Sequence, residues 1–226
     1  MKYIIMCGGY YPKWENPRWL SKINGESLLE HTINLLVMFG VSHEDIYVSI
    51  SIDNKLVEEV ARKKACGIIY PKKKFIAHDY NKCSGYWCTG FTNLGEPVTY
   101  LFGDVYFSST AIETIINTET DDIEFFASKP PFSEYYIKEW AEPFALKVVD
   151  YKHLKKAIDK CIEYADQGKF NRQPIMWELW QVIKGHELNF IDYNSYTAIN
   201  DCTCDIDSPG DIKKLEAAVG EYIKHS

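Results

Sequence analysis

Apolar positions first gather at residues 3–7, Tyr-Ile-Ile-Met-Cys, and stop at Gly8-Gly9. A short apolar run bounded by glycines reads as a buried strand. An irregular stretch follows to Gly25 and contains Pro12 and Pro17. From Ser27 to Phe39 apolar residues recur at helical spacing, and Gly40 is placed to end that helix. The pattern then repeats: a β-branched run at 45–51, a helical stretch at 54–64 and a third strand at 67–70. Residues 97–102 form a further strand ending at Gly103-Asp104, before a helix at 109–117 and a strand at 123–127. Strands alternating with helices predict an α/β fold whose sheet is mainly parallel.

After residue 128 the rhythm changes. Lys129-Pro130-Pro131-Phe132 breaks regular structure. A strand at 143–149, an amphipathic helix at 153–164, a polar loop at 168–172 and a helix at 174–183 follow. The reading is one domain over 1–226, with roughly 128–200 inserted to cover one end of the sheet. A last helix runs to Tyr222, with Ser208 at its N-cap, Pro209 at its first position and Asp211 in its first turn.

Composition narrows the function. A chain of 226 residues buries about 70–75% of its unfolded surface and needs no disulfide or structural metal to fold. Lys and Arg number 25 against 32 Asp and Glu, a net charge of −7. That excludes a general nucleic-acid binder, which needs a basic face, but leaves room for a basic pocket around one nucleotide. Lys72-Lys73-Lys74 reads as a solvated turn. The opening apolar run is too short to span a bilayer, so no membrane partner is expected. The seven cysteines contain no C-x-x-C pair. With no recognisable signal peptide they read as free thiols of a cytoplasmic protein. Aromatic residues make up 15%, which fits either core packing or a site lined by rings.

Three stretches carry candidate chemistry. Gly8-Gly9 ends the first strand at the carboxyl edge of the sheet, where open α/β folds bind ligands. It is either a structural turn or a place where backbone approaches phosphate, with Lys13 and Arg18 close behind to pair with phosphate oxygens. It matches neither a P-loop nor a G-x-G-x-x-G loop. Asp104, just past a hydrophobic strand, is either a turn residue or a hard oxygen ligand for Mg²⁺. Asp201, Asp205, Asp207 and Asp211 form an acidic cluster. Asp207 and Asp211 suit a helix N-terminus, which leaves Asp205 as the metal candidate, and strand alternation puts Asp205 and Asp207 on one side.

In this order and spacing the chain resembles the sugar-nucleotidyltransferase family, with its GT-A-like, Rossmann-like fold. The matching stretches are Met6-Cys7-Gly8-Gly9-Tyr10-Tyr11-Pro12-Lys13 with Pro17-Arg18, Asn24-Gly25-Glu26-Ser27-Leu28, Gly103-Asp104 and Asp205-Ile206-Asp207-Ser208-Pro209-Gly210-Asp211. Lys13 and Arg18 stand where the family places Arg and Lys, which keeps the charge but changes its geometry. The resemblance implies an α/β, mixed but mainly parallel sheet with an inserted acceptor-binding subdomain. It implies transfer of a nucleotidyl group from an NTP, CTP or UTP favoured, to a small phosphorylated metabolite such as a sugar phosphate.

The implied roles are Lys13 and Arg18 on the phosphates, and Gly8, Gly9, Ser84, Gly85 and Asp104 on the nucleotide. Asp104 and Asp205 would hold Mg²⁺, with Asp207 as the alternative to Asp205, and Glu142 and Trp177 would meet the acceptor. The implied partners are an NTP and a small phosphorylated substrate, and the reading admits a homodimer. A GT-A glycosyltransferase shares the fold, but its usual Asp-x-Asp is here Asp104-Val105-Tyr106. A catalytically inactive nucleotide-binding relative is the third reading.

Overall fold

A computed structural model describes residues 1–8, 14–50, 54–71, 90–172 and 174–225. Its central sheet is built from β1 (Lys2–Cys7), β4 (Ile46–Ile50), β5 (Gly67–Ile69), β6 (Val98–Phe102), β8 (Ile123–Ala127), β9 (Pro143–Val148) and β10 (Thr197–Ala198). Their order across the sheet is β10-β8-β9-β6-β1-β4-β5. Pairing is parallel throughout except at β9, which runs antiparallel to both neighbours. Smaller pairs are made by β2 (Lys22–Ile23) with β3 (Glu26–Ser27), and by β7 (Val105–Tyr106) with β11 (Cys204–Asp205).

The alternation of side chains along each strand divides the core. Tyr3, Ile5 and Cys7 of β1 face one side with Val48 and Leu101. There they pack on α1 (Leu28–Met38), α2 (Lys55–Lys63) and α3 (Ser109–Asn117) through Leu29, Ile33, Val57 and Ile112. Ile4, Tyr100, Phe125 and Leu146 face the other side. They pack on α4 (Tyr151–Asp166) and α5 (Met176–Lys184) through Leu154, Ile158, Leu179 and Trp180. Helices thus cover both faces, which is why the strands are mostly apolar rather than strictly alternating with polar residues. A third cluster joins α6 (Pro209–His225) to β7 and β11 through Leu215, Val219, Tyr106 and Cys204.

The helix ends follow the sequence closely. Ser27, Asn54, Ser108 and Asp150 each accept a hydrogen bond from a first-turn amide as N-caps. Gly40 has φ +87° just after α1, the left-handed geometry that glycine adopts freely.

One expectation changes. The stretch 128–200 does not merely cover the sheet. It contributes β9 to the sheet interior and β10 to an edge, while α4 and α5 form the cover. Because β9 is antiparallel, its first residue lies at the edge where β6 and β8 finish: Ala145 pairs with Leu101, and Pro143 with Ala127. No helix among the described residues is long and apolar enough to cross a membrane. The five described cysteines, Cys7, Cys66, Cys161, Cys202 and Cys204, are buried and free.

Candidate functional site

Three chain segments converge at the carboxyl edge. The first is the turn after β6. The amide of Gly103 donates to the Met6 carbonyl at 3.1 Å. A Cβ at this position would meet Cys7 Sγ at 2.7 Å, the Met6 carbonyl oxygen at 2.8 Å and the Trp19 ring at 2.9 Å. Only glycine lets the turn sit this close to β1, and the turn aims Asp104 outward.

The second is β11. It pairs with β7 so that Asp205 faces Val105, and the Ile206 amide donates to the Asp104 carbonyl at 3.0 Å. The alternation expected here holds: Cys204 turns into the α6 core, while Asp205 and Asp207 both meet Lys138.

The third is the segment leading into β9. Residues that precede a strand ordinarily lie at the amino edge. Reversal of β9 brings Glu142 to the carboxyl edge instead, together with Trp140 and Lys138. The Trp140 indole N–H donates to Glu142, and the Glu142 amide donates to Ser128 Oγ at 2.8 Å.

One oxygen from each of Glu142, Asp205 and Asp207 lies within 4.8 Å of the others, so this set could hold a metal ion. Asp104 lies beside the group and is ion-paired with Arg18. Arg18 sits in a short 3-10 turn, Arg18–Leu20, and is 7% exposed. Its Nη1 donates to the Ile206 carbonyl at 3.3 Å and lies 3.8 Å from Asp207. Arg18 therefore ties the β6 turn to the end of β11.

Lys138 is the functional residue that sequence reading missed. Its ammonium lies 2.8 Å from Asp207, 3.3 Å from Asp211 and 3.7 Å from Asp205. The side chain is 5% exposed. Lysine is almost never buried without partners, and the acids at 205–211 supply them; that acidic run was the available signal.

Among the described residues the charges do not balance: Asp104, Glu142, Asp205, Asp207 and Asp211 face two cations, Arg18 and Lys138. Burial pushes the Glu142 carboxyl up to about 7, and the charges of Asp207 and Asp104 add to the push, against the Trp140 N–H and Lys138. Asp205 is also raised well above its ordinary value, by burial first and then by Glu142 and Asp207. Burial alone would lower Lys138, but Asp205, Asp207 and Asp211 outweigh it and hold the ammonium charged. Asp205 is 8% exposed, and its Oδ1 has no hydrogen-bond partner among the described residues. A buried carboxylate oxygen left in that state costs free energy. It is the observation that points from an acidic cluster to a cation: three hard oxygen donors, one of them unsatisfied, suit Mg²⁺ or a similar ion.

Two other acids are structural. Asp211 Oδ2 accepts from the amides of Asp207 and Ser208, each at 3.0 Å, and so caps α6. Asp201 accepts from Ser108 Oγ at 2.5 Å and the Thr203 amide at 2.6 Å, which ties the chain to the α3 N-cap. Trp177, expected at the acceptor, is not brought to the edge. It is 3% exposed and packs edge-on against Phe125 and Tyr196. Its helical spacing from Trp180 reflects a core face. Gly8 is exposed at the end of β1, and a Cβ there would meet nothing within 4 Å. Gly9, Lys13, Ser84 and Gly85 lie outside the described residues, as do Lys72 to Lys74. A cavity of about 500 Å³ between α1 and α2, lined by Asn34, Lys63 and Lys64 among others, is remote from this edge and lined by no carboxylate.

No family model matches the chain, and no curated protein sequence matches it. Solved structures do. The chain is similar to the inositol-1-phosphate CTP transferase from T. maritima, at 14% identity and TM-score 0.57, over 97% of this chain and 96% of that one. It is similar to the CTP:phosphocholine cytidylyltransferase from Streptococcus pneumoniae, at 16% identity and TM-score 0.54, over 96% and 98%. It is also similar to the nucleoside-diphosphate-sugar pyrophosphorylase from Vibrio cholerae RC9, at 14% identity and TM-score 0.58, over 96% and 100%. The class defined is therefore one of fold: this chain shares the Rossmann-like fold of these nucleotidyltransferases over 96–97% of its length.

Proposed function

We propose that the protein is a nucleotidyltransferase that joins an NTP to a small phosphorylated metabolite and releases pyrophosphate. The observation that carries the reading is the placement of Asp104, Glu142, Asp205 and Asp207 with two buried cations at one sheet edge. That edge is where this class of α/β fold binds ligands. CTP is the favoured nucleotide, since two of the similar structures are described as using it, and a sugar phosphate is the favoured acceptor.

In the reaction an oxygen of the acceptor phosphate attacks the α-phosphorus of the NTP. The bond between the α-phosphorus and the bridging oxygen breaks, and pyrophosphate leaves with the electron pair. No protein nucleophile is required, so catalysis rests on alignment and charge neutralisation. Glu142, Asp205 and Asp207 would hold Mg²⁺, with Asp104 beside them. When bound, Mg²⁺ neutralises charge on the phosphates. Arg18 keeps Asp104 and the end of β11 in register and presents positive charge to the edge. Gly8 and Gly9 offer backbone, Lys13 a charge for the phosphates, and Ser84 and Gly85 contacts to the base. Glu142 borders the acceptor.

The test is pyrophosphate release with each of the four NTPs, Mg²⁺ and a panel of sugar 1-phosphates, inositol phosphate and phosphocholine. Turnover with CTP and a sugar phosphate is expected. Nucleotide binding without turnover on any acceptor would favour an inactive relative, and transfer from an NDP-sugar would favour a glycosyltransferase.

A further inference from the structure

Lys138 occupies an unusual position for a buried lysine. It touches no backbone carbonyl among its described hydrogen bonds, and its partners are the carboxylates of Asp207 and Asp211. Its distance to Asp205 Oδ1, 3.7 Å, gives charge attraction without a hydrogen bond, so that oxygen keeps its unmet demand. Two of the three carboxylates that converge on the candidate metal position, Asp205 and Asp207, are thus the ones that Lys138 neutralises. An ammonium and a divalent ion drawn to the same two carboxylates repel each other strongly at this range.

We infer that Lys138 is a built-in counter-cation, holding the acidic edge together in the metal-free protein and giving way when a divalent ion binds Glu142, Asp205 and Asp207. The inference rests on the metal reading above and adds a rule to it: metal affinity is set by competition with this lysine. Free metal at low concentration is opposed by the ammonium. Metal arriving with its own anionic ligand, as a metal–triphosphate complex does, brings negative charge that offsets the opposition. Asp211 gives the displaced ammonium a nearby partner, since it is already held at the α6 N-terminus by two amides. Trp140 offers a second one, its ring centroid being 5.7 Å from Lys138 Nζ.

The experiment uses the full chain and Mn²⁺ or Mg²⁺ alone, without nucleotide. Mn²⁺ binding is measured by calorimetry or electron paramagnetic resonance for the wild type and for Lys138→Met. The variant should bind Mn²⁺ at least about ten-fold more tightly, because a like charge has been removed. It should melt lower than the wild type in EDTA and regain the difference in Mg²⁺. In the wild type, reductive methylation read by mass spectrometry should find Lys138 protected in EDTA and labelled in saturating Mg²⁺. Equal or weaker Mn²⁺ affinity in the variant, with metal binding intact in the wild type, overturns the counter-cation role but leaves the metal site standing. Protection of Lys138 that persists in bound metal does the same. Absence of Mn²⁺ binding in both proteins overturns the metal reading and this inference with it. If Lys138→Met does not fold, wild-type labelling decides the matter alone.

Discussion

One buried lysine lies within β9 and another just before it, and they are solved differently. Lys147, near the end of β9 at the amino edge, is 3% exposed. Its ammonium donates to the carbonyls of Ile116 at 3.0 Å and Thr118 at 2.6 Å, at the C-terminal end of α3. Those carbonyls are the groups a helix leaves unsatisfied, and they carry the negative end of its dipole. Burial lowers this lysine from its ordinary value, with Glu124 opposing. Lys138, before β9 at the carboxyl edge, is held by carboxylates instead and is raised. The ammonium of Lys147 donates to fixed backbone, although Thr99 Oγ1, on the residue paired with it across β6, has no hydrogen-bond partner among the described residues. Around Lys138, among the described residues, negative charge is in surplus and one carboxylate oxygen is orphaned. The lesson is that a saturated buried charge supports the fold, while an unbalanced one marks a place where something charged is still to bind.

The largest expected effect separates activity from stability. Asp205→Asn should lower pyrophosphate release by about a hundred-fold or more, because it removes one negative charge from the metal set. It should leave the metal-free fold at least as stable as the wild type, because it also removes a buried, poorly paired charge. Asp104→Ala should lose turnover similarly, but at some cost in stability, since Arg18 then loses one of its ion pairs. Steady-state assays beside thermal melts distinguish the two.

The next effect is pH dependence in chelator. Glu142 and Asp205 bind protons more tightly folded than unfolded. The Glu142 contribution is therefore fully present below its ordinary value of 4.5 and is lost as pH rises towards about 7, and that of Asp205 is lost in the same direction. Each pKa unit is worth about 1.4 kcal/mol, so Glu142 alone should cost the metal-free protein on the order of 3 kcal/mol across that window. Mg²⁺ should flatten the curve. Denaturant melts from pH 4.5 to 7.5 check the sign, and a metal-free stability that rises with pH would contradict it.

Lys147→Met supplies the contrast at the other edge. It leaves two carbonyls at the α3 terminus without their donor, a cost of about 1–3 kcal/mol, and it should leave both metal affinity and turnover of the folded protein unchanged. The smallest effect is that of Asp211→Ala, about 1 kcal/mol from the lost α6 cap, with a modest change in metal affinity because Lys138 loses one anchor.

The strand and helix periodicities were legible because burial on both sheet faces writes itself into the chain. The Gly103-Asp104 turn was legible for a steric reason, the close approach of β6 to β1. Strand direction was not. Nothing in the apolar run at 143–149 distinguishes parallel from antiparallel, yet the reversal of β9 is what delivers Glu142, Trp140 and Lys138 to the site. Lys138 was hidden because a lysine's burial depends on partners some 70 residues away in sequence. Trp177 misled because an aromatic residue on a helix has the same pattern whether it faces a core or a ligand.

The central claim is that the carboxyl edge is an under-compensated cation site. The most direct test is the melting temperature of wild type and Asp205→Asn, each in EDTA and in saturating Mg²⁺. The account predicts that Asp205→Asn melts no lower than wild type in EDTA and gains little from Mg²⁺, while the wild type gains clearly. A variant that melts well below wild type in EDTA and still gains as much from Mg²⁺ would contradict it.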